Sequence, residues 1–543
     1  MIRLFLFTLV SISILSSCMK AEHADLIVHN AVIHSMDEKM TVYEAMAIRD
    51  GKIVELGPER QILNKYSANE FVDAGGKDIY PGFTDAHVHL LLAAKQRMGA
   101  DLSQCKSLAQ LVTDVEIYQQ RNNQKIIVGQ GWNEGAWRDN SLPTNERLNE
   151  VFPVTPVCLF RNDGHTVLVN DAMLHLAGIN DQTQVSSGEI MKKDGKITGI
   201  LTDEAMELVK KKLPVYSPQE LKEKVIEIQN ELLMYGITNV HDAGLEAEDV
   251  QVMKELIDAG RLKINLYGML LPTAENIQFA RKHRVYEYKN LSIRSFKVFT
   301  DGSLGGRGAY LKDPYSDDVH SHGHTTVTKE ELDELVQLCQ EVRYQLNAHA
   351  IGDAAVKMVL DAYKDVSKTN PDHRWRIEHA QIISPEDMPL FMQYGILPSV
   401  QPTHAVSDYL FAEQRLGAER LKEAYAYHSL LNATGMIAIG TDYPIEDMNP
   451  FKTIYAACAR KNDKEAPAGG FLPGEAISLD DCLRGMTVWA ALAGFQEDRI
   501  GRLEEGMDAT FAIFERKISL SSNFQQNFSL HTYINGKEVY SAE

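Results

Sequence analysis

The sequence predicts an α/β protein: a (β/α)8 barrel with a small split β-sandwich and an inserted subdomain. Three observations predict it. Eight short, mostly apolar segments alternate with helical stretches through the middle of the chain, the alternation that builds a parallel sheet with helices outside it. Two β-rich segments lie at opposite ends, near 25–80 and 505–543. Between the first two barrel strands run about 150 residues, far more than the dozen or so a crossover needs.

The β-rich ends come first. "LIVHNAVIHSM" and "AMAIRDGKIVELG" alternate apolar and polar residues, with Asp50-Gly51 as a hairpin turn. The C-terminus repeats that texture in "ATFAIFE" and "TYINGKEVYSA", the latter turning at Asn535-Gly536. Such segments pair into one sandwich when the termini of the intervening domain lie close together. The barrel occupies 81–504, with strand cores at 82–90, 237–244, 264–270, 293–299, 345–351, 374–380, 396–402 and 437–443. Helices are expected from Pro218 to Tyr235 and from Lys329 to Tyr344, among others. The long interval contains a subdomain at 126–205, placed on the barrel's C-terminal face where βα loops build sites.

The chain has 543 residues, 44% hydrophobic and 24% charged, an ordinary globular composition. Its formal net charge of -20 argues against a nucleic-acid partner, which requires clustered Lys and Arg. Arg3 precedes an apolar run from Leu4 to Leu15, too short to span a bilayer and suited to a signal-peptide core at 1–17. The run ends in Leu15-Ser16-Ser17-Cys18, which resembles a bacterial lipobox. That resemblance implies lipidation of Cys18, a tether at 18–24, and an exported protein held to a membrane by acyl chains. The plain alternative is an ordinary secretory signal with Cys18 incidental. The other cysteines, Cys105, Cys158, Cys339, Cys458 and Cys482, are odd in number and form no Cys-x-x-Cys, so buried thiols are expected rather than disulfides.

Polar residues suited to metal binding fall at the C-terminal ends of several proposed strands. In "PGFTDAHVH", Asp85, His87 and His89 share one face of a strand, because successive side chains alternate sides. Lys297 ends the fourth strand, His349 the fifth, His379 the sixth and Asp442 the eighth. A barrel brings such ends together in a ring.

With these motifs in hand, the chain resembles the metal-dependent amidohydrolase superfamily, in the branch containing N-substituted formamide deformylases. The matching stretches are "PGFTDAHVHL", "FKVFTDGSLGGRGAYL", "NAHAIGDAAV", "RIEHAQ", "IAIGTDYPIEDMNPF" and "GRLEEGMDATFAIFE". The resemblance implies one or two Zn²⁺ ions, or another divalent metal, and hydrolysis of a non-peptide C–N bond such as an amide, N-acyl or N-formyl group. His87 and His89 would bind the more buried metal together with Asp442. Asp442 would also take the proton from the attacking water and pass it to the leaving nitrogen. His349 and His379 would hold a second metal or orient substrate. Lys297 would be carboxylated by CO₂ to bridge two metals, the alternative being a lysine paired with Asp301.

The remaining assignments are of substrate contacts and helpers. His165 in "NDGHT" is expected to touch substrate, with a structural histidine or a bond to an acid as its alternative, and Arg307 to act as a clamp on a flexible Gly-rich loop. Trp132, beside Trp137, is expected to line an aromatic pocket, with the core as its alternative. Asp85 is expected to orient a histidine, and His241 to be structural or bonded to an acid. The expected partners are a small-molecule substrate and a second copy of the chain in a homodimer. The competing function is a surface lipoprotein that keeps the barrel as a non-catalytic binding module.

Overall fold

The computed structural model describes residues 21–542 apart from 138–140, 163, 186–187, 215–216 and 522. The signal run and Cys18 lie outside the described residues. Eight parallel strands form the central sheet: β1 (Phe83–Val88), β2 (Ile237–Leu245), β3 (Asn265–Leu270), β4 (Leu291–Phe299), β5 (Gln345–Ala350), β6 (Arg376–His379), β7 (Leu397–Val400) and β8 (Ala438–Ile439). They are bonded in chain order from β1 to β8. A parallel bridge between Val88 and Tyr443 brings the last strand back to the first. All eight expected strand cores are present.

Closure at that seam depends on a missing side chain. A Cβ at Gly440 would sit 2.4 Å from the His87 amide nitrogen and 2.8 Å from Asp85 Oδ1. With glycine there, the Asp442 amide donates to His87 O at 2.7 Å and the His89 amide to Tyr443 O at 2.7 Å. The metal-type residues of β1 and β8 are thereby locked side by side.

Apolar residues such as Phe83, Val240, Leu266, Ile293, Phe296, Leu346, Ile377, Val400 and Ile439 belong to one large buried cluster with the helices. Those helices begin as the sequence suggests. Pro218 occupies the first turn of Pro218–Met234, and Thr328 with Glu331 forms a capping box on Lys329–Val342.

The β-sandwich consists of two sheets. One orders Lys52–Gly57, Ala45–Arg49, Glu22–His29 and Tyr66–Asp73. The other joins both ends of the chain: Lys537–Ser541, Ser529–Ile534, Phe511–Phe514, Asp78–Pro81, Val32–His34 and Val42–Tyr43. Leu26, Val28, Ile48, Ile79, Phe511, Ile513 and Tyr533 share its core. Both foreseen hairpin turns carry positive φ at two successive residues, Asp50-Gly51 and Asn535-Gly536. The first strand begins at Glu22, so residues 22–24 belong to the sandwich rather than to a tether.

The inserted subdomain is a six-stranded sheet from Ala100–Asp101 to Lys196–Thr202. It starts earlier than expected because its two-residue edge strand, paired to Gly129 and Gln130, is too short to show a period in sequence. All five cysteines among the described residues are free, and four are buried.

Candidate metal centre

The site is assembled from the C-terminal ends of the barrel strands. His87 is fully buried and His89 nearly so, with ring centroids 5.4 Å apart. Across the barrel, the His379 ring lies 5.0 Å from His87 and 4.5 Å from His349. Asp442 faces this group with Oδ1 3.2 Å from His89 Nε2 and 3.6 Å from His87 Nε2. Lys297, with no exposed surface, places Nζ 3.2 Å from His87 Nε2. The six residues expected to gather here are therefore together.

Backbone strain marks the same place. His379 and Asp442 have φ of 70° and 64°, and Ala380 follows at 42°. Non-glycine residues rarely adopt such values, and they persist where surrounding contacts over-determine them.

Three residues that sequence reasoning passed over, Glu378, Arg376 and His404, complete the support. Glu378 Oε2 lies 2.5 Å from His87 Nδ1, and Glu378 pairs with Arg376 at 2.7 Å. Burial opposes ionisation of Glu378, but Arg376 and His87 hold the carboxyl well below the usual range. Arg376 crosses the barrel interior to Ala86 O, Ser399 Oγ and His241 Nδ1. His404, in the helix Pro402–Asp408 after β7, puts Nε2 3.0 Å from Asp442 Oδ2 and Nδ1 3.3 Å from Glu446 Oε1. Burial disfavours a proton on His404, yet those two carboxylates raise it well above the usual imidazole range. Asp442 is held well below the carboxylate range: burial opposes this, and His404, His87 and His89 outweigh it.

Burial dominates at His87 and His379. It lowers His87 to about 4, aided by Lys297, and takes His379 well below its ordinary value. Both are neutral at pH 7, the form in which imidazole binds a cation. Burial also brings Lys297 down to about 8.

Several expectations require correction. Asp85 does not orient an imidazole ring; it accepts from the backbone nitrogens of Thr441 at 2.9 Å and His87 at 3.2 Å, and from Thr441 Oγ1 at 2.6 Å. It fastens β1 to β8, and burial pushes it up to about 7. Asp301 does not pair with Lys297. It approaches His349 Nε2 at 3.3 Å and accepts the amides of Tyr310, Ile351 and Gly352. His241 takes the structural alternative: it is fully buried and bonds to Arg376.

Arg307 is committed to Asp317, at 2.7 and 3.2 Å, and Arg415 shares that carboxylate. It clamps the Gly-rich strap, not a ligand. The strap is pinned rather than loose: a Cβ at Gly352 would meet Tyr310 O at 2.0 Å, so glycine permits its close approach. Trp132 is fully buried in the inserted subdomain, with Nε1 donating to Leu159 O at 2.8 Å, and so lines no substrate pocket. His165 takes the acid-paired alternative. Its Nδ1 lies 3.1 Å from Asp203 Oδ1.

The donors present fit a divalent metal. His87, His89 and Asp442 form one group of ligand atoms within 4.8 Å of one another, and His379, His404 and Asp442 form another. Asp442 Oδ1 and His379 Nδ1 are buried without a hydrogen-bond partner among the described residues. Imidazole nitrogen with carboxylate oxygen is a donor set suited to Zn²⁺. His349 belongs to neither group.

A parallel barrel with this ring of donors at its mouth defines a metal-dependent hydrolase class of fold and site. The chain belongs to the amidohydrolase family, whose family model matches residues 70–540. It is 32% identical over 547 residues to Protein LONG AFTER FAR-RED 3 of Arabidopsis thaliana, covering 95% of this chain and 92% of that one. It is 26% identical over 541 residues to the N-substituted formamide deformylase of Arthrobacter pascens, covering 94% and 97%. Among solved structures, an uncharacterized metal-dependent hydrolase from Pyrococcus horikoshii OT3 matches with a TM-score of 0.77 at 27% identity, covering 91% of this chain and 97% of that one.

Proposed function

We propose that this amidohydrolase cleaves a non-peptide C–N bond, an amide, N-acyl or N-formyl group, in a small molecule. The observation that carries the reading is the convergence of His87, His89, Lys297, His349, His379 and Asp442 at the barrel mouth. These residues would hold one or two divalent cations, Zn²⁺ by the character of the donors. Such a cation supplies Lewis acidity to the carbonyl and acidifies the attacking water.

The chain's own groups do the rest. Glu378 fixes the His87 ring through Nδ1, leaving Nε2 toward the centre. Asp442 is ionised, with Oδ1 facing His87 and His89 and Oδ2 3.0 Å from His404 Nε2. It takes a proton from water as the oxygen bonds to the carbonyl carbon. It then returns that proton to the leaving nitrogen as the C–N bond breaks. Support for the C–N class comes from the similarity to the formamide deformylase.

Leu4 to Leu15 followed by Leu15-Ser16-Ser17-Cys18 supports export and lipid anchoring at Cys18. Among the described residues no helix is long and apolar enough to cross a membrane.

The test is a hydrolase screen of zinc-loaded protein across N-formyl, N-acyl and cyclic amides. Amine release that is lost with a chelator and lost in Asp442→Asn supports the reading; undiminished metal-dependent turnover in folded Asp442→Asn overturns the mechanism. Stoichiometric metal with no turnover on any class would favour the binding module.

A further inference from the structure

Strand β7 delivers Gln401-Pro402-Thr403-His404 to the barrel mouth. Pro402 sits in the first turn of its helix, so His404 lies one turn at most from the strand end. Its side chain is only 14% exposed. The His404 ring centroid is 5.8 Å from that of His379, and its Nε2 lies 3.0 Å from Asp442 Oδ2. On the other side Nδ1 approaches Glu446 Oε1 at 3.3 Å, and Ser407 Oγ donates to the same oxygen at 2.6 Å. The helix therefore supplies both the imidazole and the hydroxyl that steadies its acceptor.

We infer that His404 is a metal ligand that completes, with His379 and Asp442, a second cation site next to the one formed by His87, His89 and Asp442. The inference rests on the metal-dependent reading of the centre. Three features carry it. The donor atoms of His379, His404 and Asp442 lie within 4.8 Å of one another. The two oxygens of Asp442 are divided between the groups, Oδ1 toward His87 and His89 and Oδ2 toward His404. This is the arrangement of a carboxylate serving two neighbouring cations. Finally, a carboxylate on the far nitrogen of a metal-binding histidine fixes its tautomer and raises its basicity, and Glu446 stands in that place. The competing account makes His404 a hydrogen-bond anchor of Asp442 and nothing more; the two accounts differ in metal content.

The full chain is stripped with chelator, reloaded with Zn²⁺ or Co²⁺, and its bound metal counted by elemental analysis and calorimetry. Wild type is expected to bind two equivalents. His404→Ala should keep one and lose the other, with a matching loss of absorption from the Co²⁺-loaded form. Glu446→Gln should weaken only the second equivalent, by about 10–100-fold, the usual cost of removing such a supporting group. Melting of the stripped proteins checks the fold, and His404→Asn replaces His404→Ala if the latter fails to fold. Two equivalents at wild-type affinity in a folded His404 variant would overturn the inference, as would a single equivalent in wild type. No metal in wild type would instead remove the metal-dependent reading itself.

Discussion

The Nδ1 nitrogen of His87 lies 2.5 Å from Glu378 Oε2, and the same carboxylate is paired with Arg376 inside the barrel. The position of the first imidazole is therefore set by a buried ion pair, not by the metal alone. Glu378→Gln keeps the shape but removes the charge. It should weaken metal binding about 10–100-fold, as loss of such a partner does. It should also destabilise the stripped protein by about 3–5 kcal/mol, because Arg376 is left buried without its counter-ion. Calorimetry of metal binding and denaturant unfolding measure both. Unchanged metal affinity would show that His87 needs no orienting group.

The acid response of the metal-free protein follows from the buried histidines. His87 is lowered from 6.5 to about 4 by burial and by Lys297, and burial takes His379 and His241 well below 6.5. Their contribution is complete above pH 6.5, where folded and unfolded chains are both neutral. As pH falls below 6.5 the unfolded chain binds protons that the folded chain refuses, so stability drops. For His87 alone the loss by pH 4 is on the order of 3 kcal/mol. His404 has the opposite sign: raised by Asp442 and Glu446 against burial, it stabilises fully below pH 6.5 and loses that contribution as pH climbs through its folded value. Asp85 and Asp242, pushed up to about 7 by burial, have the same sign as His404 and oppose the buried histidines over this range. The histidine contribution is therefore read by comparison: between about pH 7.5 and about pH 4.5 stripped wild type should lose more stability than stripped His87→Asn. An equal change in the two proteins would contradict the burial argument for His87.

How much of this was legible in sequence depends on distance along the chain. The eight strands were, because each is a short apolar run bounded by turn residues. His87, His89, Lys297, His349, His379 and Asp442 were, because each ends such a run. Glu378 was overlooked although the signal was present: Arg376 and Glu378 are two apart, so they face one side of β6 just as Asp85 and His87 share a side of β1. His404 had no such signal, since its role exists only because β7 and β8 are neighbours and Asp442 turns toward the helix after β7. Arg307 was misread for a related reason. Asp317, its partner, follows ten residues later and meets it only when the strap folds back. Trp132 depended on the inserted sheet, which buries aromatics that a linear reading leaves beside loops.

Lys297 offers a direct chemical test. Its Nζ is buried beside an imidazole, and among the described residues no carboxylate lies within 4.0 Å of it. An ammonium there has no close counter-ion, and burial already brings it down to about 8. Reaction of the neutral amine with CO₂ would replace that cation by an anion suited to holding metal. Reloading in bicarbonate should therefore raise metal content, more so as pH approaches 8. Isotope-labelled bicarbonate should give a carbamate resonance that is absent from Lys297→Met. Lys297→Ala should lose most turnover and regain part of it with a short-chain carboxylate. A labelled protein without the resonance, at full metal content, would leave Lys297 an ordinary amine.

The proposed substrate contact of His165 can be tested apart from the metal centre. It comes from the inserted subdomain, its ring held at 3.1 Å by Asp203, while every metal-type group comes from the barrel. Asp203 is itself held below the carboxylate range by that hydrogen bond, against burial, and it adopts a φ of 48° at the start of the helix Glu204–Lys210. Such strain at a solvent-facing pair fits a contact kept for a ligand rather than for packing. His165→Ala removes a side chain 38% exposed, so stability should change by no more than about 0.5 kcal/mol. Metal equivalents should stay as in wild type. KM should rise with kcat changed less, the pattern of a lost binding contact. Asp203→Asn should move KM the same way, because the carboxylate holds that ring. A variant with wild-type KM would show that His165 does not touch substrate, and a variant that loses metal would move His165 into the centre itself.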